Sequence, residues 1–318
     1  MSATSGFWRQ TPPAIFPPIL GLFGLGLAWR QAALVLALPG GGAELILGVV
    51  TLLFLFALLA YLAKVVRRPG ALAEDLRTLP GRAGVATAAM AAMLLAAALL
   101  PYWRAAAAAV LVLAVAAHFA VIVAVIAQLM PQPLAARRMT PVWHLVFVGP
   151  IVAGVAGAGL GWRAAGEIDL VLSLAAALTI WGGHLLLLAR QGMAAPLRPT
   201  LAIHLSPAAL LGIVSALLGH DALALGFGWL SILIAGSLLT RLRYLTEAGF
   251  SPFWGAFTFP LAAFANLMLL LADEGALYRL LGTLALAAAT IAVPLIALRV
   301  LKMWVSGVLA VKTAAARA

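Results

Sequence analysis

The sequence predicts an all-α membrane protein of ten transmembrane helices, paired as five helical hairpins. Three observations carry this. Of the 318 residues, 65% are hydrophobic and only 9% charged, about a third of the charge of an average soluble domain. The charges punctuate long apolar runs, and a bilayer core needs about 20 apolar residues per helical span. The runs lack the alternation of membrane strands, and in lipid the helix is the other structure that satisfies its own backbone. A soluble enzyme, a disordered chain and a nucleic-acid-binding protein are all excluded, despite a net charge of +11. The absence of cysteine removes disulfides, thiolate metal sites and cysteine nucleophiles.

The apolar runs fall at 14–37, 43–64, 82–100, 105–129, 141–161, 167–190, 200–219, 221–243, 252–272 and 275–302. The first contains Pro17 and Pro18, is preceded by Pro12 and Pro13 and has no clear cleavage site, so it reads as a retained span and not a signal peptide. Outer connections such as 39–44 and 219–222 are very short, whereas inner ones such as 67–82 are longer. Consecutive helices therefore close as hairpins on the outside. No connection holds a soluble domain, so residues 1–318 are expected to form one transmembrane domain.

Charge orients the spans. With the N-terminus inside, inner segments hold 16 of the 20 basic residues, among them Arg9, Lys64, Arg67, Arg68 and Arg198; Arg30, Arg104, Arg163 and Arg279 are outside. This bias predicts cytoplasmic termini in a multi-pass inner (plasma) membrane protein.

A pattern of proline followed by small residues recurs on odd-numbered helices: Pro18 in 16–21, Pro150 in 148–154, Pro207 in 205–212 and Pro260 in 258–265. The third helix has the small residues without an internal proline. Proline deletes a helical hydrogen bond and bends the helix, and small residues allow close approach or leave space. The repeat predicts an inner ring of odd helices around a central path, with even helices facing lipid. Candidate path-lining residues are Gly21, Gly154, Ser206, Ala209, Thr258 and Ala263.

No Asp, Glu, Lys or Arg lies clearly in mid-span. This argues against proton- or sodium-coupled carriers and acidic-ring cation channels. No metalloprotease or prenyl-transferase metal motif is present, so no metal, cofactor or enzymatic activity is expected. His144 and His204 each precede a repeat proline and are candidates to line an inner vestibule. His118 and His184 read as packing or interhelical hydrogen-bonding residues, and His220 as solvated.

On the ninth helix, Phe253, Phe257, Pro260 and Phe264 share one face. Phe259 lies on the other, among Gly255, Ala256, Ala262, Ala263 and Asn266. A single large ring on a small-residue face would block a path that this face bordered.

The ten spans and the segments 16–30, 197–211 and 253–265 resemble the tellurite-resistance/dicarboxylate transporter family, with its bacterial TehA and plant slow-type anion channel relatives. The resemblance covers nearly the whole chain. It implies a quasi-fivefold ring, a homotrimer and an anion pore through each protomer, occluded by a ninth-helix phenylalanine that the TFP of 258–260 places at Phe259. The missing proline in the third helix departs from that pattern. The expected function is a passive channel for small inorganic anions such as chloride or nitrate; the expected partners are membrane lipid and those anions. The alternative is a carrier or exporter of dicarboxylate, sulfite or tellurite-related anions, as a tellurite-resistance role would need.

Overall fold

The computed structural model describes residues 10–133 and 137–318, and every regular element in them is helical. Arg9, counted above among the inner basic residues, lies outside the described residues. The helices are α1 (Phe16–Val35), α2 (Gly41–Arg67), α3 (Gly70–Arg77), α4 (Leu79–Leu99), α5 (Arg104–Leu129), α6 (Ala153–Leu160) and α7 (Arg163–Gln191), then α8 (Leu205–Leu217), α9 (Asp221–Thr240), α10 (Leu242–Thr246), α11 (Gly255–Leu270), α12 (Ala276–Val305) and α13 (Val308–Lys312). Nine helices among the described residues are long and apolar enough to cross a membrane, and His144–Leu160 is a shorter apolar segment between the fourth and the sixth expected spans.

That fifth segment is not one continuous α-helix. It runs as a π turn over His144–Val148, a 3-10 turn over Gly149–Val152 and then α6. Pro150 is the cause: it has no N–H to offer the carbonyl of Val146, four residues back. His118 on α5 takes up that carbonyl instead, with Nε2 at 2.9 Å from it. Pro18 and Pro207 fall in the first turn of α1 and α8, where an α-helix has no internal acceptor for the N–H in any case. Pro260 lies inside α11.

Burial separates odd from even spans. Of the apolar stretch in α4 and in the span ending in α8, 78% is buried within the protein; the first and ninth spans have 56% and 61%. The even spans, α2, α5, α7, α9 and α12, have 22–39% and expose leucines and valines outward, such as Leu52, Val123, Leu172, Leu233 and Leu284. The odd spans touch in cyclic order: α1 with α4, α4 with the His144–Leu160 segment, that segment with α8, α8 with α11, and α11 with α1. Each even span packs on its preceding odd span and touches the next, α12 closing the circle onto α1.

The seam between α1 and α11 is close because glycines face bulk across it. A Cβ on Gly21 would collide with the side chain of Thr258, and one on Gly24 would stand 3.0 Å from the ring of Phe259. Gly255 faces Pro17 and Pro18 in the same way. The Thr258 hydroxyl donates to the carbonyls of Gly255 (2.7 Å) and Pro17 (3.2 Å), which pins the two helices together.

Polar ties hold the expected outer ends. Arg30 grips Glu44 with two 2.8 Å bonds and reaches the last carbonyls of α4 at Ala97 and Ala98. Arg104 reaches the carbonyls of Gly159 and Leu160 at the end of α6. His220 joins Glu167 at 2.8 Å, so this histidine is paired as well as partly exposed. At the C-terminal end of α2, Lys64 and Asp75 are both fully buried and 2.6 Å apart. Lys64 also donates to the Thr11 carbonyl, and Asp75 accepts from the Tyr61 hydroxyl and the Ala316 amide.

Candidate anion path

At the N-terminal ends of the odd spans lies a cavity. Its wall is drawn from every odd span: Ala14 and Pro17 from the first, Pro80 and Ala83 from the third, Val142 and Leu145 from the fifth. Thr200 and Ile203 come from the seventh, and Pro252, Phe253 and Ala256 from the ninth. No even span contributes to it. The repeat prolines mark part of the wall. Ala14, Ile203 and Ala256 each stand four residues before Pro18, Pro207 and Pro260, so these wall residues occupy equivalent positions relative to the repeat prolines.

The ninth span leads inward from this cavity. Phe259 and Ala263 follow Ala256 at three and seven residues, on the same face and one and two turns deeper. Phe259 is 4% exposed and its ring rests on Gly24 of α1. Phe257 points elsewhere, half-buried and 5.7 Å from the ring of Trp254.

A second, smaller cavity, with room for about one water, shares Leu145 with the first. It is walled by Met90 of α4, by His144, Leu145, Val148 and Gly149 of the fifth segment, and by Ser206, Pro207 and Leu210 of α8. Ser206 is 3% exposed and its hydroxyl has no partner. His144 bonds through Nε2 to Nδ1 of His204 (3.0 Å), and His204 bonds through Nε2 to Nδ1 of His184 on α7 (2.8 Å). Trp181 donates to the His204 carbonyl at 3.3 Å and fixes that turn.

The other candidates are placed less openly. Gly21 faces Thr258 and Gly154 faces Val214, so both serve close helix packing. The Thr258 hydroxyl is spent on the α1 seam. Ala209 and Ala263 are buried, and neither is on the wall of either cavity. Three of the five histidines meet, in a line and not around a point, and His184 is the interhelical hydrogen-bonding residue expected of it. Spacings of 40 and 20 residues on three separate spans carry no signal that sequence reading can use. Asp75 was missed as well. It reads as a loop acid among arginines, and its burial depends on Thr11 and Ala316 returning to it from the two ends.

Charge at the expected inner face is strongly basic. The Arg68 guanidinium holds the exposed Glu74 carboxyl below its usual range, so that acid pairs locally and leaves Arg67 and Arg77 beside it.

No curated protein matches the chain. A family profile does match it, over residues 10–301, nearly its whole length, and it is the family that the first, seventh and ninth spans resemble. The chain belongs to the voltage-dependent anion channel family, whose members transport anions across membranes.

Proposed function

We propose that the chain is a passive channel for small inorganic anions, conducting along the axis of a quasi-fivefold ring of odd spans, with Phe259 as the plug. The observation that carries this is the cavity walled by all five odd spans and by no even span. The Ala256–Phe259–Ala263 face runs on from that wall and the phenyl ring rests against Gly24, which supports a reading in which this ring closes the path.

Anion preference follows from fields, not from a cationic ring. The described mid-span residues include no Lys or Arg, and a net charge of +11 weighted to the inner mouth attracts anions. The starts of α8 and α11 add partial positive charge. Weak ligation suits conduction, because an ion held tightly does not leave. The functional unit is a homotrimer in the plasma membrane, its termini cytoplasmic and its even spans facing lipid or neighbouring copies.

Bilayer or oocyte recording of Phe259→Ala beside wild type tests the plug. The variant is expected to raise anion current tenfold or more. Phe257→Ala, two residues away, leaves current near wild type and costs about 1–3 kcal/mol of stability for a half-buried ring. Equal currents in both variants overturn the assignment. Flux that saturates without unitary events identifies a carrier of dicarboxylate, sulfite or tellurite-related anions instead.

A further inference from the structure

The ninth span is covered unevenly. Gly255, Thr258, Phe259 and Ala262 of α11 are buried. Phe250, Trp254, Phe257 and Leu261 follow one another at spacings of four, three and four, and all are half-buried. They are not on the wall of the axial cavity. The odd neighbours of α11 are α8 and α1, and its even neighbours are α9 and α12. The open edges of this stripe therefore look outward, into the gap between α9 and α12. Trp229 of α9 and Tyr278 of α12 close that gap at one end, their rings 6.0 Å apart. The stripe lies toward the other end, the one to which Thr11 and Ala316 both return.

The stripe is apolar and continuous. The ring of Trp254 stands 5.3 Å from that of Phe250 and 5.7 Å from that of Phe257. The indole N–H is spent on the Gly249 carbonyl at 3.0 Å, so the ring offers only its apolar body outward. With Leu261 one turn further on, the stripe spans roughly 16 Å, about half the hydrocarbon thickness of a bilayer. That is the depth of one leaflet.

Its mouth is cationic. The Arg299 guanidinium stands 5.2 Å from the ring of Phe250, a cation–π contact that holds it at the end of the stripe. Arg299 is exposed, and so is Lys302, one turn further along α12. Neither forms a salt bridge with a described carboxylate. The acids at this end of the bundle are otherwise engaged: Glu247 by Arg198, Glu74 by Arg68 and Asp75 by Lys64.

We infer that this groove binds one anionic phospholipid of the adjacent leaflet, its phosphate on Arg299 and Lys302 and an acyl chain along Phe250, Trp254, Phe257 and Leu261. Charge at the mouth and an apolar run one leaflet deep match a lipid's own polarity. Two uncompensated cations favour a headgroup with net negative charge over one that carries its own ammonium. A guanidinium suits phosphate because it can donate two parallel bonds to it. A second copy of the chain fits less well, since the acids it could bring to this end are already paired. The inference needs only the membrane placement of the family and is independent of Phe259 as a plug.

The test uses the full chain in phosphatidylcholine liposomes that contain a minor fraction of dibrominated lipid, either phosphatidylglycerol or phosphatidylcholine. Bromine quenches tryptophan on contact, and the Trp254 contribution is taken as the difference between wild type and Trp254→Phe. One Lys or Arg at a bilayer surface favours an anionic lipid by about fivefold. Brominated phosphatidylglycerol is therefore expected to quench Trp254 with an association constant at least threefold above that of the phosphatidylcholine. Arg299→Gln should lower this ratio at least threefold. Arg77→Gln, which removes the same charge from α3, should leave it in place. Lys302→Gln serves in the same way if Arg299→Gln does not fold. Equal quenching by the two lipids overturns the inference. So does an equal loss in Arg77→Gln, which would mean a general surface potential. Absence of quenching by either lipid means that another copy covers the groove, and overturns it as well. None of these outcomes bears on the anion flux of Phe259→Ala, which tests the path separately.

Discussion

Two buried polar clusters in this protein are built to opposite rules. The Lys64–Asp75 cluster is closed: Lys64 bonds Asp75 and the Thr11 carbonyl, and the two carboxylate oxygens accept from Lys64, Tyr61 and the Ala316 amide. The His144–His204–His184 cluster is open at one end. Its rings satisfy one another but leave Nδ1 of His144 unmet, and the Ser206 hydroxyl of α8 is unmet as well. The first cluster lies outside the ring of odd spans and ties both ends of the chain to α2 and α3. Of the second, His144 alone lies on the wall of the small cavity between α4, the fifth segment and α8. A polar group whose bonds are all made can only hold the fold. One left unmet can still take a partner.

The largest expected effect tests the closed cluster. Asp75→Ala strands a buried ammonium along with the Tyr61 hydroxyl and the Ala316 amide. It should cost about 3–5 kcal/mol, the scale for breaking a buried ion pair, read as a lowered melting temperature in detergent. Anion flux per folded protein should match wild type. A folded Asp75→Ala protein with altered flux would erase the distinction between the clusters.

A smaller effect is expected at His118, which belongs to neither cluster and replaces a backbone donor. His118→Ala leaves the Val146 carbonyl without the bond that Pro150 cannot make, and should cost about 1–3 kcal/mol. His118→Gln, which keeps a donor, should recover part of it. Equal melting temperatures for wild type and His118→Ala would mean that water or backbone adjustment meets Val146 instead.

These cases mark what was legible beforehand. The spans were, because hydrophobic length is a local property. The proline repeat marked the odd spans, and all five of them do wall one cavity, although Pro18 and Pro207 sit in first helical turns and delete no α-helical bond. Roles of small polar side chains were less so. Thr258 reads as a donor to a path, yet its hydroxyl is taken by Pro17 on α1, a partner 241 residues away. Gly21 and Gly154 read as open space, yet each abuts a side chain. A stripe of small residues is the same sequence whether a cavity or a neighbour's bulk faces it, and only the packing of the other spans decides which.

The smallest expected change in stability gives the finest test of the comparison. Ser206 and Ser215 both lie on α8, both are buried, and neither hydroxyl has a partner. They stand nine residues apart, which at about 100° per residue puts them on opposite faces of the helix. Only Ser206 is on the cavity wall. Replacing either with alanine removes an unbonded hydroxyl and keeps the packing. Both variants should melt within about 0.5 kcal/mol of wild type, or slightly above it. Anion handling should separate them. In the Phe259→Ala background, Ser206→Ala, which removes a hydroxyl expected to line the path, should lower nitrate flux severalfold, while Ser215→Ala leaves it in place. Chemistry, burial and helix are the same in the two variants, so a difference in flux can come only from the direction in which the side chain points. If the two variants shift together, or neither shifts, the cavity beside His144 is a packing void and Ser206 is not on the path.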